Sequence, residues 1–292
     1  IFPEAYFNTR AYGFNRSKTA WYTIDPLFYD RNNNLRPPNI TKDELSKNTV
    51  REVLETEVFP NKEIPNGIPT NIPIFNIAFY PQERGPYNYD VDGIGGISAG
   101  INENGLLNNP ESRWGGIMRK IESTDFEATN VEYVEFWLMD PFNSDQAQGN
   151  KGKLYINLGD ISEDILKDGQ KFFENGLPGS ELVTDVDTTI WGRVPTLQNL
   201  VESFDNEPAT RPFQDVGYDG LRNEDEVSFF NDAYVNKIQQ VFGPLSNAYF
   251  NALDDPSGDD YHYFRGSDYD DDDTYGSILE RYKRYNGPDG NS

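Results

Sequence analysis

Twelve residues from Asp215 to Glu226 carry the spacing of a calcium loop. Acids stand at the first and fifth positions (Asp215 and Asp219), with Gly220 sixth, Leu221 seventh, Asn223 ninth and Glu226 twelfth. A hard dication of the calcium type takes roughly six to eight oxygen ligands. A tight turn at Gly220 lets Asp215, Asp219 and the Leu221 carbonyl converge. Glu226, in the first turn of the helix that follows, closes the shell with both its oxygens. The third position departs from the pattern: Gly217 brings no side-chain oxygen, so water or a carbonyl must substitute. Pro208 and Pro212 exclude a regular helix before the loop, which favours a single structural calcium loop over a paired sensor. The same residues also read as an acidic glycine turn, in which Asn223 caps the helix and Glu226 is its partner. Spacing alone does not choose between the two.

A second acid cluster follows: Asp254, Asp255, Asp259 and Asp260, then Asp268, Asp270, Asp271, Asp272 and Asp273. Like charges this dense stay solvated unless a cation or a basic partner screens them. Other chemistry is thin. Glu132 and Glu135 are three apart on an expected strand, so they face opposite ways and form no carboxylate pair with each other. His262 is the one histidine and has no positioned nucleophile in its sequence neighbourhood. Gly93, Gly95 and Gly96 lack the Lys-Ser/Thr of a phosphate loop. Trp114, Trp137 and Trp191 suit a sugar-stacking platform, although strand aromatics are more often core. No catalytic residue is assigned, and no enzyme activity is expected.

Composition narrows the classes further. Cys is absent, which removes disulfide scaffolds and thiolate metal sites. A net charge of −24 argues against nucleic acid as a partner. No apolar run reaches the roughly 20 residues that span a bilayer as a helix. The chain opens at Ile1-Phe2-Pro3 with no initiator Met and closes on turn residues 286–292, which reads as a piece of a longer protein.

The elements that must position these groups divide the chain into three stretches. Residues 1–73 are aromatic and turn-rich, with a strand near 20–24 and one helix. Thr41 and Glu44 form a capping box for that helix; Leu45, Val50, Val53, Leu54 and Val58 line its face, and Pro60 ends it. Residues 74–205 alternate like strands at 74–80, 114–121, 131–139 and 153–158. The segment 131–139 is apolar on both faces, as a covered central strand would be. Asp160 and Glu163 bracket the start of a short helix. Residues 206–292 hold the calcium-like loop, a helix over 224–242 and the acidic tail. Val227, Phe230, Tyr234, Ile238 and Val241 recur at helical spacing in that helix. The predicted fold is mainly β (α+β): an antiparallel β-sandwich, jelly-roll-like, with a few helices and long loops.

Long stretches also resemble a known family. They include Arg113-Trp114-Gly115-Gly116-Ile117-Met118-Arg119-Lys120-Ile121 and Glu132-Tyr133-Val134-Glu135-Phe136-Trp137-Leu138-Met139-Asp140-Pro141-Phe142. Gly159-Asp160-Ile161-Ser162-Glu163-Asp164, Tyr80-Pro81-Gln82-Glu83-Arg84-Gly85 and Asp255-Pro256-Ser257-Gly258-Asp259-Asp260-Tyr261 add to the likeness. Together these resemble the SprA/Sov family, the outer-membrane translocon of the type IX secretion system in Bacteroidetes, linked to gliding motility. The resemblance implies a very large single-chain β-barrel, a PorV-like barrel partner, a plug protein and secreted cargo with a C-terminal signal domain. This chain lacks the regular alternating segments of a barrel wall. The family likeness therefore implies a soluble module of the translocon that shapes or caps the channel, on the extracellular side of the bacterial outer membrane. A glycan-binding jelly-roll module on the cell surface is the alternative. The family supplies no catalytic residues, and the calcium ligands rest on spacing alone.

Overall fold

Ala20 and Ala78 are small enough to let two strands meet over a packed aromatic core, and they face each other in the main ladder of the fold. Strand β1 (Ser17–Tyr22) pairs antiparallel with β2 (Asn76–Arg84), in the register Ala20 to Ala78 and Tyr22 to Asn76, with a bulge between Ser17 and Lys18. One face is buried: Ala20 and Tyr22 point inward, and Tyr22 stacks on Tyr282 at 4.1 Å. Trp21, Ile77 and Phe79 face outward and are exposed. This computed structural model describes residues 3–30, 35–64, 67–68, 70–119, 121, 125–140, 152–159, 164–169, 178, 180, 185–196, 207–214 and 216–286.

The only other sheet among the described residues joins β3 (Val186–Thr188) to β4 (Arg193–Pro195). The expected mainly-β sandwich is therefore incorrect: two separate two-stranded sheets make neither a sandwich nor a jelly roll. The failure has a physical origin. Alternating side chains specify an extended backbone, but a strand exists only when a second backbone accepts its hydrogen bonds. Among the described residues, 131–139 and 153–158 have no ladder partner, and Tyr133, Trp137, Leu138 and Tyr155 are exposed. Residues 114–119 contribute one parallel bridge, Arg16 to Trp114.

Helices cluster toward the C-terminal end. Helix α1 (Lys42–Ser46) and α2 (Glu55–Val58) replace the single helix expected there. Thr41 does cap α1, accepting from the Glu44 N–H at 3.1 Å. The Glu44 carboxylate, however, reaches across the molecule to the Ile278 N–H at 2.9 Å instead of back to Thr41. The helix expected over 224–242 runs as α3 (Asn223–Phe229), a π turn (Asn231–Val235) and α4 (Asn236–Phe242). The Val235 N–H reaches the Phe230 carbonyl at 3.3 Å, and the extra residue puts both Tyr234 and Val235 into the core. Val241, expected on the buried face, lies in solvent. Helices α5 (Asn247–Asp254) and α6 (Ile278–Tyr282) complete the set. None of the described helices is long and apolar enough to cross a membrane.

Two apolar cores result. The first packs Tyr89, Phe230, Tyr234, Ile238, Ala248 and Trp191. The second packs Tyr22, Phe28, Ile40, Phe264, Ile278 and Tyr282. Each core draws side chains from all three stretches of the sequence. With so little ladder, side chains satisfy the buried backbone. Arg281, fully buried, donates to the carbonyls of Tyr275 at 2.6 Å and Tyr269 at 3.2 Å, and to Asn39 at 2.7 Å and Asp270 at 2.9 Å. Replacing Arg281 by Ala strands these acceptors, so a loss of about 3–5 kcal/mol is expected in denaturant unfolding. A loss under about 1 kcal/mol would show that water readily replaces the guanidinium.

Candidate metal centre

Val216 to Leu221 form a tight turn, closed by the Leu221 N–H on the Val216 carbonyl at 3.2 Å. Asp219 folds back within it, its Oδ1 accepting from the Leu221 N–H at 3.0 Å. The Asp219 carbonyl accepts from the Arg193 N–H at 2.7 Å, which ties the turn to β4. Gly192 makes that approach possible, since a Cβ there would lie 2.2 Å from the Asp219 carbonyl oxygen. Glu226 projects from the first turn of α3.

A second turn meets the first. Asp255 Oδ1 accepts from the N–H groups of Gly258 at 2.7 Å and Asp259 at 3.2 Å, which curls residues 255–259 into a loop. That loop presents Ser257, whose Oγ donates to Asp219 Oδ2 at 2.6 Å and whose N–H donates to Glu226 Oε2 at 3.0 Å. It also presents Asp259, whose Oδ2 accepts from the Tyr87 hydroxyl at 2.8 Å. The Tyr87 oxygen in turn accepts from the Tyr218 N–H at 2.7 Å. Asp219, Glu226 and Asp259 thereby place carboxylate oxygens within 4.8 Å of one another. They are 0%, 1% and 3% exposed, so the cluster is sealed from bulk solvent.

The residues expected to bind a metal fare differently. Asp219 and Glu226 come together. Asp215 lies outside the described residues. Leu221 buries its side chain in the first core and gives its N–H to Asp219. Asn223 is the first residue of α3, not its cap; its amide donates to the Asp254 carbonyl at 2.9 Å and to Asp260 Oδ1 at 3.1 Å. Asp259 is the partner that the loop spacing missed, because it arrives from the second acid cluster. Gly217 held the one local signal for it. A Cβ at Gly217, where φ is 52°, would sit 2.0 Å from Asp259 Oδ2 and 2.8 Å from the Tyr87 hydroxyl. The side chain missing from the third loop position makes room for a carboxylate from elsewhere.

Electrostatics make the cluster costly. Burial pushes Asp219 up to about 7. Burial, and then the neighbouring acids, hold Glu226 and Asp259 well above the usual carboxylate range. No ion pair among the described residues relieves any of the three. Arg84 spends its guanidinium on the Asn88, Pro256 and Asp255 carbonyls, and Arg284 pairs with Asp260. Lys18 is charge-coupled to Asp255 and Asp259 but is itself lowered by burial. Glu226 Oε1 is buried with no hydrogen-bond partner.

The other candidate groups do not gather. Glu132 and Glu135 are exposed. His262 is held between Asp268 at 3.0 Å and the Tyr263 carbonyl at 3.0 Å, and stacks on Tyr269. Trp191 is core, Trp114 lies half-buried beside Arg16, and Trp137 is exposed, so these three do not share one exposed face. The glycine loop at 93–100 is pinned by Asp90, which accepts from the Gly93 and Gly100 N–H groups at 3.0 and 2.9 Å.

Residues 233–292, which span α4 to α6 and include Asp259, match the family model SprA_N, a motility related/secretion protein. The match supports the SprA/Sov resemblance and relates the chain to motility and secretion proteins. No curated protein matches the chain.

The raised carboxylates have a pH signature. A group whose folded pKa is raised stabilises the fold below its unfolded pKa, and that contribution is lost as pH rises through the folded value. For Asp219 the window runs from 3.8 to about 7. In chelator-treated buffer, Glu226→Gln is therefore expected to lose less stability than the unsubstituted chain between about pH 5 and about pH 8. Identical pH slopes for the two chains would mean that the acids do not repel in the folded state.

Proposed function

We propose that the chain is a non-enzymatic soluble module of the type IX secretion translocon in the bacterial outer membrane, on the extracellular side. There it shapes or caps the channel. The family match over 233–292 supports the secretion setting. The observation that carries the module reading is the exposed, apolar-rich chain at 131–139. Tyr133 is 77% exposed and Trp137 75%, and among the described residues no strand pairs with them. A chain that worked alone would not leave such a strip in water with its backbone unpaired. The rest of the translocon is the natural occupant, adding strands edge to edge along 131–139 and 153–158. A PorV-like barrel, a plug protein and cargo with a C-terminal signal domain are the further partners of this reading. The converging acids are closed to substrates, which favours a passive role over turnover.

Hydrogen exchange tests the occupied strip. Amides at 131–139 are expected to exchange freely in the isolated chain and at least tenfold more slowly in the assembled translocon. Equal exchange in both would remove the proposed contact. In cells, Trp137→Asp combined with Leu138→Asp is expected to reduce cargo export, and a surface protease is expected to cut at the exposed acidic run at 271–273, away from the proposed contact. Normal export by that variant would defeat the reading, and protection from the protease in intact cells would defeat the extracellular assignment.

A further inference from the structure

The buried carboxylates Asp219, Glu226 and Asp259 have no described ion-pair partner. Burying acids together without a cation is strongly unfavourable unless they take up protons. An independent feature points to a ligand. Glu226 Oε2 is satisfied by the Ser257 N–H, while Oε1, equally buried, has no partner and belongs to the carboxylate that converges on the other two. Backbone and hydroxyl donors already orient the set. Ser257 fixes Asp219 and Glu226, and Tyr87 fixes Asp259. Each carboxylate keeps accepting capacity beyond these bonds.

We propose that Asp219, Glu226 and Asp259 bind a hard divalent cation, calcium, that clamps the turn at 216–221 and the start of α3 to the loop at 255–260. The donor set is all oxygen, which excludes soft metals. Magnesium keeps several waters and demands octahedral geometry, whereas calcium accepts irregular, largely protein-built shells; the closed site fits calcium. Asp255 and Asp260 converge with Asp259 in an adjoining trio, of which Asp260 is already paired with Arg284. The site differs from a loop read along the sequence: two ligands come from residues 219–226, and the third comes from a segment more than 30 positions further on.

The test uses the full 292-residue chain. The chain is stripped with chelator, then titrated with calcium or magnesium while melting temperature and bound metal are followed. Terbium luminescence, sensitised by Tyr87, reports occupancy at the site itself. One equivalent of calcium is expected, with a melting temperature raised by several degrees and a weaker response to magnesium. Glu226→Gln keeps the acceptor for Ser257 but removes charge; it is expected to weaken calcium binding tenfold or more while raising the melting temperature in chelator. Asp271→Asn combined with Asp273→Asn, in the exposed acidic run, is expected to leave binding unchanged. The proposal is overturned if calcium does not shift the melt of the unsubstituted chain. It is equally overturned if Glu226→Gln binds like the unsubstituted chain, or if only the Asp271/Asp273 variant loses binding. Should a variant not fold, the calcium titration and terbium signal of the unsubstituted chain decide alone.

Discussion

Every buried N–H and carbonyl needs a partner, and this chain supplies few of those partners through sheets. That constraint explains the buried charges that otherwise look out of place in its interior. Arg113, with its side chain fully buried, donates to the Phe14, Gly100 and Asn108 carbonyls and lies 3.7 Å from Asp90. Asn88 donates to the Phe14 and Arg16 carbonyls. Arg84 and Arg281 do the same for the C-terminal loops. Each is a polar node that holds irregular backbone in one conformation, a task that a ladder performs in a sandwich.

The same logic brings the acids together. The turn at 216–221 and the loop at 255–259 are short, irregular and rich in polar groups. Ser257 joins them by bonding both Asp219 and Glu226, while Tyr87 and Tyr89 close the other side. The first core reaches the cluster through Tyr87, Tyr89 and Leu221, which bond Asp259, Ser257 and Asp219, and the three acids are buried from water. Removal of water is what raises their proton affinity, and it is also what would make a bound cation strongly held. Apolar packing and the acid cluster are thus one energetic unit, and part of it lies in the segment that matches the motility and secretion family.

The opposite condition holds at 131–139 and 153–158. There many side chains are large and apolar, yet no core forms over them among the described residues. Phe59 touches Trp137 edge-on at a centroid distance of 5.7 Å, and the Asn48 amide approaches the Asp140 carbonyl at 3.5 Å. Such sparse contacts bury little apolar area. The energetics of the described residues are therefore uneven, with a well-satisfied section over 216–286 and strips at 131–139 and 153–158 that the described residues leave largely unburied.

Local physics was legible in the residues. The short strands near 20–24 and 74–80, the Thr41 cap and the helix over 224–242 all follow from propensity and periodicity, which act between neighbours. The loop spacing brought forward Asp219 and Glu226 as members of one site. What the residues did not disclose was pairing at a distance. Alternation at 131–139 promised a central strand, but pairing depends on a second backbone that no local pattern specifies. Asp259 was legible only as one acid in a cluster, because a contact between positions 219 and 259 leaves no periodic trace. Only the tertiary structure decided that the chain folds around buried arginines and a sealed acid cluster instead of a sandwich, since burial is a property of the whole packed chain.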